Sequence, residues 1–476
     1  MRASPRSRAR AACVAALASA AICAALAAPA VAGGPGGAGW TTWGNSPAHH
    51  SRATSSLLTS KTATSLRVAW SRDLGGVGNA QPLYLRGISA GGKARDVYVA
   101  AGERGRVVAF DALTGKTLWK RELGALHTGC SEMPDGVFGV TGTPVYDPAG
   151  GFVYVAAADG LWALDARTGR SRAGWPVKLP LDDVHEHVWG ALTLGNGHVY
   201  LGTASYCDRR PYAGRVLAVA TRSGAVDHSW VTVRTPDGSP GGGGIWGWGG
   251  VAITSDGHIW VATSNANVAT TEDQNLDHAQ TVDELTPELG LLASGPSTGM
   301  PPKGDLGFGS TPIVFTPSRC ASLVAAEGKD GALYLWRRAA LSAGPAQQLV
   351  LALTGTLYGS PAWDPRTQRL FLTSTQGDRG VAAGLVALAV TGDCRLRPVW
   401  TRALGGQLNA VPTVVNDTVV VATGTGQLRV YSAASGKLIA QRALPGHDYV
   451  APVAQGRDVA VVTWDNDLVV YRLPPA

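Results

Sequence analysis

Residues 107–119 read VVAFDALTGKTLW: an apolar run, an Asp-Ala-Leu-Thr-Gly turn, then a second run ending in Trp. Looser copies follow at 161–169 (LWALDARTG, then Trp175), 216–224 (VLAVATRSG, then Trp230), 385–392 (LVALAVTG, then Trp400) and 428–436 (LRVYSAASG). Alternating strand residues on either side of a Thr/Ser-Gly turn describe a hairpin, because glycine reaches a positive φ at little steric cost. Recurrence of one hairpin along a chain is the mark of a repeat architecture, in which each unit buries its faces against its neighbours.

Inner strands placed around Pro82, Pro144, Leu192, Val251, Pro312, Pro361, Pro412 and Pro452 give eight repeats, with proline suited to a strand start. The eighth repeat ends in DLVVYRL (467–473), before a fourth strand, whereas RVAWSRDL (67–74) reads as a fourth strand with no unit in front of it. The N-terminal strand is therefore expected to complete the last unit, since an open ring would leave unpaired edges. The expected fold is all-β, an eight-bladed antiparallel β-propeller over residues 62–476, preceded by a loosely packed N-terminal arm at 33–61. Two long loops stand out. Residues 235–244 are rich in Gly and Pro, and residues 269–287 are acidic and amide-rich; such loops are either ligand contacts or tolerated length.

Composition narrows the setting. Arg2, Arg6, Arg8 and Arg10 precede an apolar run from 11 to 28 and then Ala30-Val31-Ala32, the pattern of a secretory signal peptide over 1–32. The formal net charge of +7 includes those four arginines and no leader acid, which leaves +3 for the mature chain, too little to argue nucleic acid. No later apolar stretch approaches the roughly 18 residues of a membrane helix. A secreted or extracytoplasmic monomer with no transmembrane segment is expected. With Cys13 and Cys23 gone with the leader, Cys130, Cys207, Cys320 and Cys394 remain, and an even count in an exported chain favours disulfides.

The repeat resembles the tryptophan-docking repeat of the pyrroloquinoline quinone (PQQ)-like β-propellers, the superfamily of quinoprotein alcohol dehydrogenases and of non-enzymatic outer-membrane assembly propellers. Residues 40–51, WTTWGNSPAHHS, are similar to the Trp-x-x-aromatic-Gly opening segment of such proteins. The resemblance implies the fold more than an activity, because one scaffold hosts enzymes and binders alike. On this reading Trp119, Trp230 and Trp400 dock blades together. Cys130 falls in an interblade loop and Cys207 in a second-to-third-strand loop of one face; Cys320 and Cys394 fall in loops of the opposite face on neighbouring blades. Pairs Cys130–Cys207 and Cys320–Cys394 are expected, the alternative being free buried thiols.

The resemblance also suggests chemistry. In the dehydrogenases a Lys-Asn-Gly turn brings its Lys to the quinone; here Lys329-Asp330-Gly331 takes that place, where an ammonium could stabilise charge on a reduced cofactor. The other reading is a polar hairpin tip. Asn265, in HIWVATSNAN, matches an Asn that ligates calcium, and Asp208 is the carboxylate available where the family has a Glu ligand, although calcium needs several oxygens. The base that would take a proton from an alcohol is sought in TEDQNLDHAQTVDEL, at Asp273, Asp277 or Asp283, none of which aligns cleanly. The adjacent Cys-Cys pair of many such enzymes is absent, as is a haem-binding Cys-x-x-Cys-His. Trp246 and Trp248, with His447-Asp448-Tyr449 and Trp464-Asp465-Asn466, are expected near a top-face funnel where aromatic faces stack on a flat ring or sugar. His185 and His187 within DDVHEH could share a metal ion, but a polar loop is the simpler reading. Two functions remain: a scaffold binding a small molecule or protein without cofactor, or a PQQ- and calcium-dependent dehydrogenase acting on an alcohol or sugar.

Overall fold

The computed structural model describes residues 39–130, 133, 136–158, 160–268, 273–352, 359–374, 383–405, 410–446 and 450–475. The segment expected as a leader, 1–32, and His447-Asp448-Tyr449 lie outside them. Eight antiparallel sheets form the blades of a propeller. Blade 1 holds Leu83–Ala90, Lys93–Ala101, Arg106–Asp111 and Thr117–Glu122. The inner strands of the later blades begin at Val145, Thr193, Ala252, Ile313, Ala362, Thr413 and Val453, each one residue after the position read from the sequence. Blade 2 has three regular strands, Val145–Asp147, Phe152–Ala157 and Gly160–Asp165; single bridges Leu161–Val177 and Leu164–Ser171 stand in for its fourth. Blade 8 joins Val453–Gln455, Asp458–Val462 and Asp467–Arg472 to the N-terminal Arg67–Asp73, which pairs with Asp467–Arg472 and closes the ring.

The hairpin turn works as its sequence suggests. Asp111 Oδ1 accepts from the Thr114 N–H and hydroxyl, both at 2.9 Å, and the Gly115 N–H donates to Asp111 O at 2.8 Å with φ at +68°. The tryptophan of one blade lies on this glycine of the next. Trp70 covers Gly115, Trp119 covers Gly169 and Trp400 covers Gly436, so that a Cβ on any of these glycines would sit 2.6–2.7 Å from the ring. Each indole N–H donates to the same turn, at Ala112, Ala166 and Ala433, and the arginine two residues on (Arg72, Arg121, Arg402) donates to the glycine carbonyl at 2.6–2.8 Å. Trp230 is buried too, edge-on to His278 of blade 4.

Blades are buried on both faces, which is why their middle strands read as unbroken apolar runs. In Lys93–Ala101, Val97 and Val99 pack with Val153 and Leu164 of blade 2, while Tyr98 and Ala100 pack with Val470 and Tyr471 of blade 8. Two disulfides, Cys130–Cys207 and Cys320–Cys394, link loops on opposite faces in the expected pairing.

Two expectations need correction. The loop expected at 269–287 contains the third strand of blade 4, Thr281–Leu285. It was hidden by Asp283, fully buried yet satisfied by His278 Nδ1 at 3.0 Å and the Thr281 hydroxyl at 2.5 Å, so a polar residue sits where periodicity calls for an apolar one. The N-terminal arm is not loosely packed. Trp40, Trp43, His49, Ser51 and Leu58 are buried, and the arm runs around the inside of the channel. Gly39–Trp40 pairs with blade 1, Thr41 O accepts from Tyr146 of blade 2, Pro47 O from Ile253 of blade 4, His50 O from Trp363 of blade 6, Arg52–Ala53 runs parallel to the inner strand of blade 7, and Ser55 bonds Gly456 of blade 8. An edge strand's spare N–H and C=O groups explain this: the inner strands offer unpaired backbone toward the axis, and the arm takes it up at six blades.

Candidate functional site

Interblade segments and second-to-third-strand turns share one face of the ring. The arm bonds first-to-second-strand turns of the other face, where Asn416 Nδ2 donates to Ser56 O and Leu58 O and Gly456 O accepts from Leu57. The arm also reaches the interblade segments, where its Trp43 packs with Ala191, Val411, Val450, Ala451 and Trp248. An aromatic cluster stands nearby: Phe138, His187 and Tyr206 meet one another, Tyr206 meets Trp189, and Trp189 meets both Trp246 and Trp248, with ring centroids 4.5–5.7 Å apart. Trp189, Trp246 and Trp248 are half-buried and keep ring surface free. Glycines make this close approach possible, since a Cβ on Gly190 would stand 2.5 Å from Gly247 O, and one on Gly247 would stand 2.3 Å from Thr311 Oγ1.

A charged group is built where blades 3, 4 and 5 meet. Lys329 sits in a tight turn between Leu323–Glu327 and Ala332–Arg337, closed by Gly328 N–H to Ala332 O at 2.9 Å and by Gly331 at φ +86°. Its ammonium pairs with Asp305, a residue of the segment entering blade 5. Asp208 ends a short turn in which Cys207 and Asp208 both have positive φ, +51° and +47°, next to the disulfide that anchors Cys207. Its Oδ1 accepts from the Tyr212 hydroxyl at 2.6 Å, and its carbonyl accepts from Asn267 Nδ2 at 3.0 Å. Burial pushes the Asp208 carboxyl above the usual carboxylate range, the Tyr212 hydrogen bond opposes this, and nearby Asp305 raises it further while Lys329 lowers it. Asp208, Asp305 and Lys329 are therefore one electrostatic unit.

The other residues singled out from the sequence have partners of their own. Asn265 is buried beside this group, with Gly307 close against its backbone; its Oδ1 accepts from the Ser264 hydroxyl at 2.7 Å. Asp330 turns to its own blade and accepts from the Tyr334 hydroxyl at 2.5 Å. Asp277 accepts from the Arg234 N–H at 2.8 Å and lies 3.7 Å from His278 Nε2. Asp273 is exposed and accepts from the Asn275 N–H at 3.0 Å. No described contact joins Asp273 or Asp277 to Lys329. The DDVHEH segment disperses as well: His185 bonds Asp182, Glu186 pairs with Arg215, and His187 packs between Phe138 and Tyr206.

Tested against calcium, which takes six to eight oxygens, the donors fall short. Oδ1 of Asp208 and Oδ1 of Asn265 are already engaged by hydroxyls, and among the described residues no three His, Cys, Asp or Glu side chains are grouped to hold an ion. Against the flat quinone the fit is better, with free indole faces and a lysine near the mouth, but that lysine is neutralised by Asp305. Sequence reading missed Asp305, Tyr212 and Asn267. Asp305 had a usable signal, because Lys303-Gly-Asp-Leu-Gly lies in the segment leading to the inner strand at Ile313 and interblade segments share the face of Lys329.

A second network holds a buried acid. Glu103, in the turn of blade 1, accepts from Asn79 Nδ2 at 2.5 Å, the Thr141 hydroxyl at 3.0 Å and the Gly139 N–H at 3.3 Å. Trp464 Nε1 donates to Asn79 Oδ1 at 2.7 Å, and Thr141 reaches the Tyr206 hydroxyl at 2.9 Å. Burial raises Glu103 to about 7 despite these donors.

Solved structures share this architecture. The quinohemoprotein alcohol dehydrogenase of Comamonas testosteroni aligns over 92% of this chain and 82% of its own, with TM-score 0.70 and 14% identity. A europium-containing methanol dehydrogenase aligns over 92% and 98%, with TM-score 0.68 and 15% identity. BamB of Moraxella catarrhalis aligns over 86% and 100%, with TM-score 0.55 and 14% identity. At such identities the likeness is one of fold. No curated protein matches. A family model described as outer membrane protein assembly factor BamB matches residues 50–232 and 393–473, more than half of the sequence. The repeat hairpins, the docking tryptophans and this match together mean that the chain belongs to that family of PQQ-like propellers.

Proposed function

We propose that this is an exported propeller that binds a small molecule or a protein segment beside its tryptophan cluster, without resident cofactor. The observation that carries this reading is the cluster of half-buried tryptophans, Trp189, Trp246 and Trp248, packed beside the arm's buried Trp43. Such faces suit a flat ring, a sugar or an aromatic side chain. Export is supported by two disulfides and by the leader pattern, and no helix among the described residues is long and apolar enough to cross a membrane.

One observation favours a second reading, a PQQ-dependent dehydrogenase: Lys329 lies within electrostatic reach of Asp208, as the sequence resemblance asks. When bound, the quinone would supply the electron sink; Trp246 and Trp248 would flank it, Lys329 would meet its oxygens, and Asp273 or Asp277 would be the candidate base.

A titration separates the readings. Purified protein is mixed with PQQ, with and without calcium, and followed by cofactor absorbance and tryptophan quenching, with Lys329→Ala and Asn265→Ala as controls. Tight, calcium-dependent binding lost in both variants would make the quinoprotein reading primary. No binding well above micromolar concentration would uphold the cofactor-free scaffold.

A further inference from the structure

The arm packs against the blades with polar atoms as well as apolar ones, and at one contact three polar atoms, two of the arm and one of blade 5, have no partner. Trp43 Nε1, His49 Nδ1 and Thr311 Oγ1 are buried without a hydrogen bond, in residues that are 0, 1 and 1% exposed. All three face one spot. A Cβ on Gly249 would stand 2.8 Å from His49 Nδ1, 2.9 Å from Trp43 Nε1 and 3.0 Å from Thr311 Oγ1. Any two of these atoms are therefore within about 6 Å of each other, two hydrogen-bond lengths, and only a glycine fits at 249 beside them.

The hydrogen-bonding character of the spot is determined. Thr193 has one hydroxyl proton and donates it to Val251 O at 2.6 Å, so at its 3.1 Å contact with His49 Nε2 it accepts. Nε2 of His49 thus carries the ring proton and Nδ1 presents a lone pair. The imidazole stays neutral, since burial, with His50 beside it, lowers its pKa to about 3. Trp43 Nε1–H only donates, and the Thr311 hydroxyl does either.

We infer that the spot between the arm and the segments entering blades 4 and 5 is a binding seat for one water molecule, held by Trp43, His49 and Thr311. The guest must accept from the indole and donate to the imidazole. A metal or ammonium cation would face the indole N–H, and a carboxylate has no proton for Nδ1. Larger hydroxyl compounds are shut out by the burial of all three residues. Three partners are the usual complement of a buried water, whereas three unmet polar groups would each weaken the fold. The water ties the arm, through Trp43 and His49, to Thr311 at the start of blade 5 and makes that contact rigid. This inference is independent of what the tryptophan cluster binds.

The test combines a crystal structure of the full protein at about 1.5 Å resolution with unfolding measurements. A density peak at hydrogen-bond distance, roughly 2.7–3.2 Å, from all three atoms is expected, and its absence overturns the inference. Thr311→Val is nearly isosteric and breaks no protein hydrogen bond, because Oγ1 has none. If the water is present, the variant loses a bond to it and its unfolding equilibrium constant rises about tenfold; if the spot is dry, removing an unmet hydroxyl leaves stability equal or improved, which refutes the seat. Combined with Trp43→Phe, the loss should be smaller than the sum of the two single losses, since both residues hold one guest. Strict additivity counts against it. Should Trp43→Phe fail to fold, the density and Thr311→Val decide.

Discussion

Gly169→Ala tests the blade-docking device directly. Gly169 has φ +67°, and a Cβ there would stand 2.6 Å from Trp119 Cε3 and 2.7 Å from Cδ2. Trp119 has nowhere to retreat, being buried and held by its 2.9 Å bond to Ala166 O. Gly151 is the control: its φ is +75°, yet nothing lies within 4 Å of its Cβ position. Left-handed backbone costs an alanine about 1–2 kcal/mol at either site. Overpacking adds about 1–3 kcal/mol at Gly169 alone, so the expected losses are about 1–2 kcal/mol for Gly151→Ala and about 2–5 kcal/mol for Gly169→Ala. Equilibrium urea unfolding, with slopes compared to exclude a changed denatured state, gives both values. In a Trp119→Ala background the Gly169→Ala loss should fall to the Gly151→Ala level. Equal losses for the two alanines, or a Gly169→Ala loss indifferent to Trp119, would refute the docking argument.

Further outcomes follow from the buried groups. Glu103 is an acid whose folded pKa, about 7, lies above its ordinary 4.5; between these values the folded state keeps a proton that the unfolded chain releases, so stability falls as pH rises through the window, by about 3 kcal/mol, and levels off above it. Urea midpoints from pH 4.5 to 8 should show that slope and Glu103→Gln should lack it; parallel curves would contradict the burial argument. Replacing Cys130 and Cys207 by serine opens a link spanning 77 residues, expected to cost about 4 kcal/mol, read as a lower urea midpoint than the parent; an unchanged midpoint would show that the loops are held without it. Asp305→Asn removes a carboxylate that raises Asp208 and frees a lysine that lowers it, so the Asp208 pKa should drop in a carboxyl carbon-13 titration. No drop would dissolve the proposed electrostatic unit.

The turns were legible because they are local. An Asp side chain reaching three residues on, a glycine at positive φ and an indole a few residues later are written in consecutive letters, and five copies of that hairpin, eight inner-strand positions and a spare N-terminal strand imply a closed ring. The disulfide partners also followed, because loop class in a blade sets which face a cysteine occupies. Thr281–Leu285 escaped because a buried Asp breaks the two-residue alternation, and only its partners His278 and Thr281 make that burial tolerable.

What the sequence by itself determined is the repeat, its number and its closure, since these rest on short-range backbone chemistry. What only the tertiary structure decided is which letters meet at the axis. Asp305 stands 24 positions from Lys329, and His49 stands 144 from Thr193 and further still from Thr311. The ring brings blades together without regard to separation along the chain, and the arm's path through the channel is set by unpaired backbone on all sides of it, which no local pattern records.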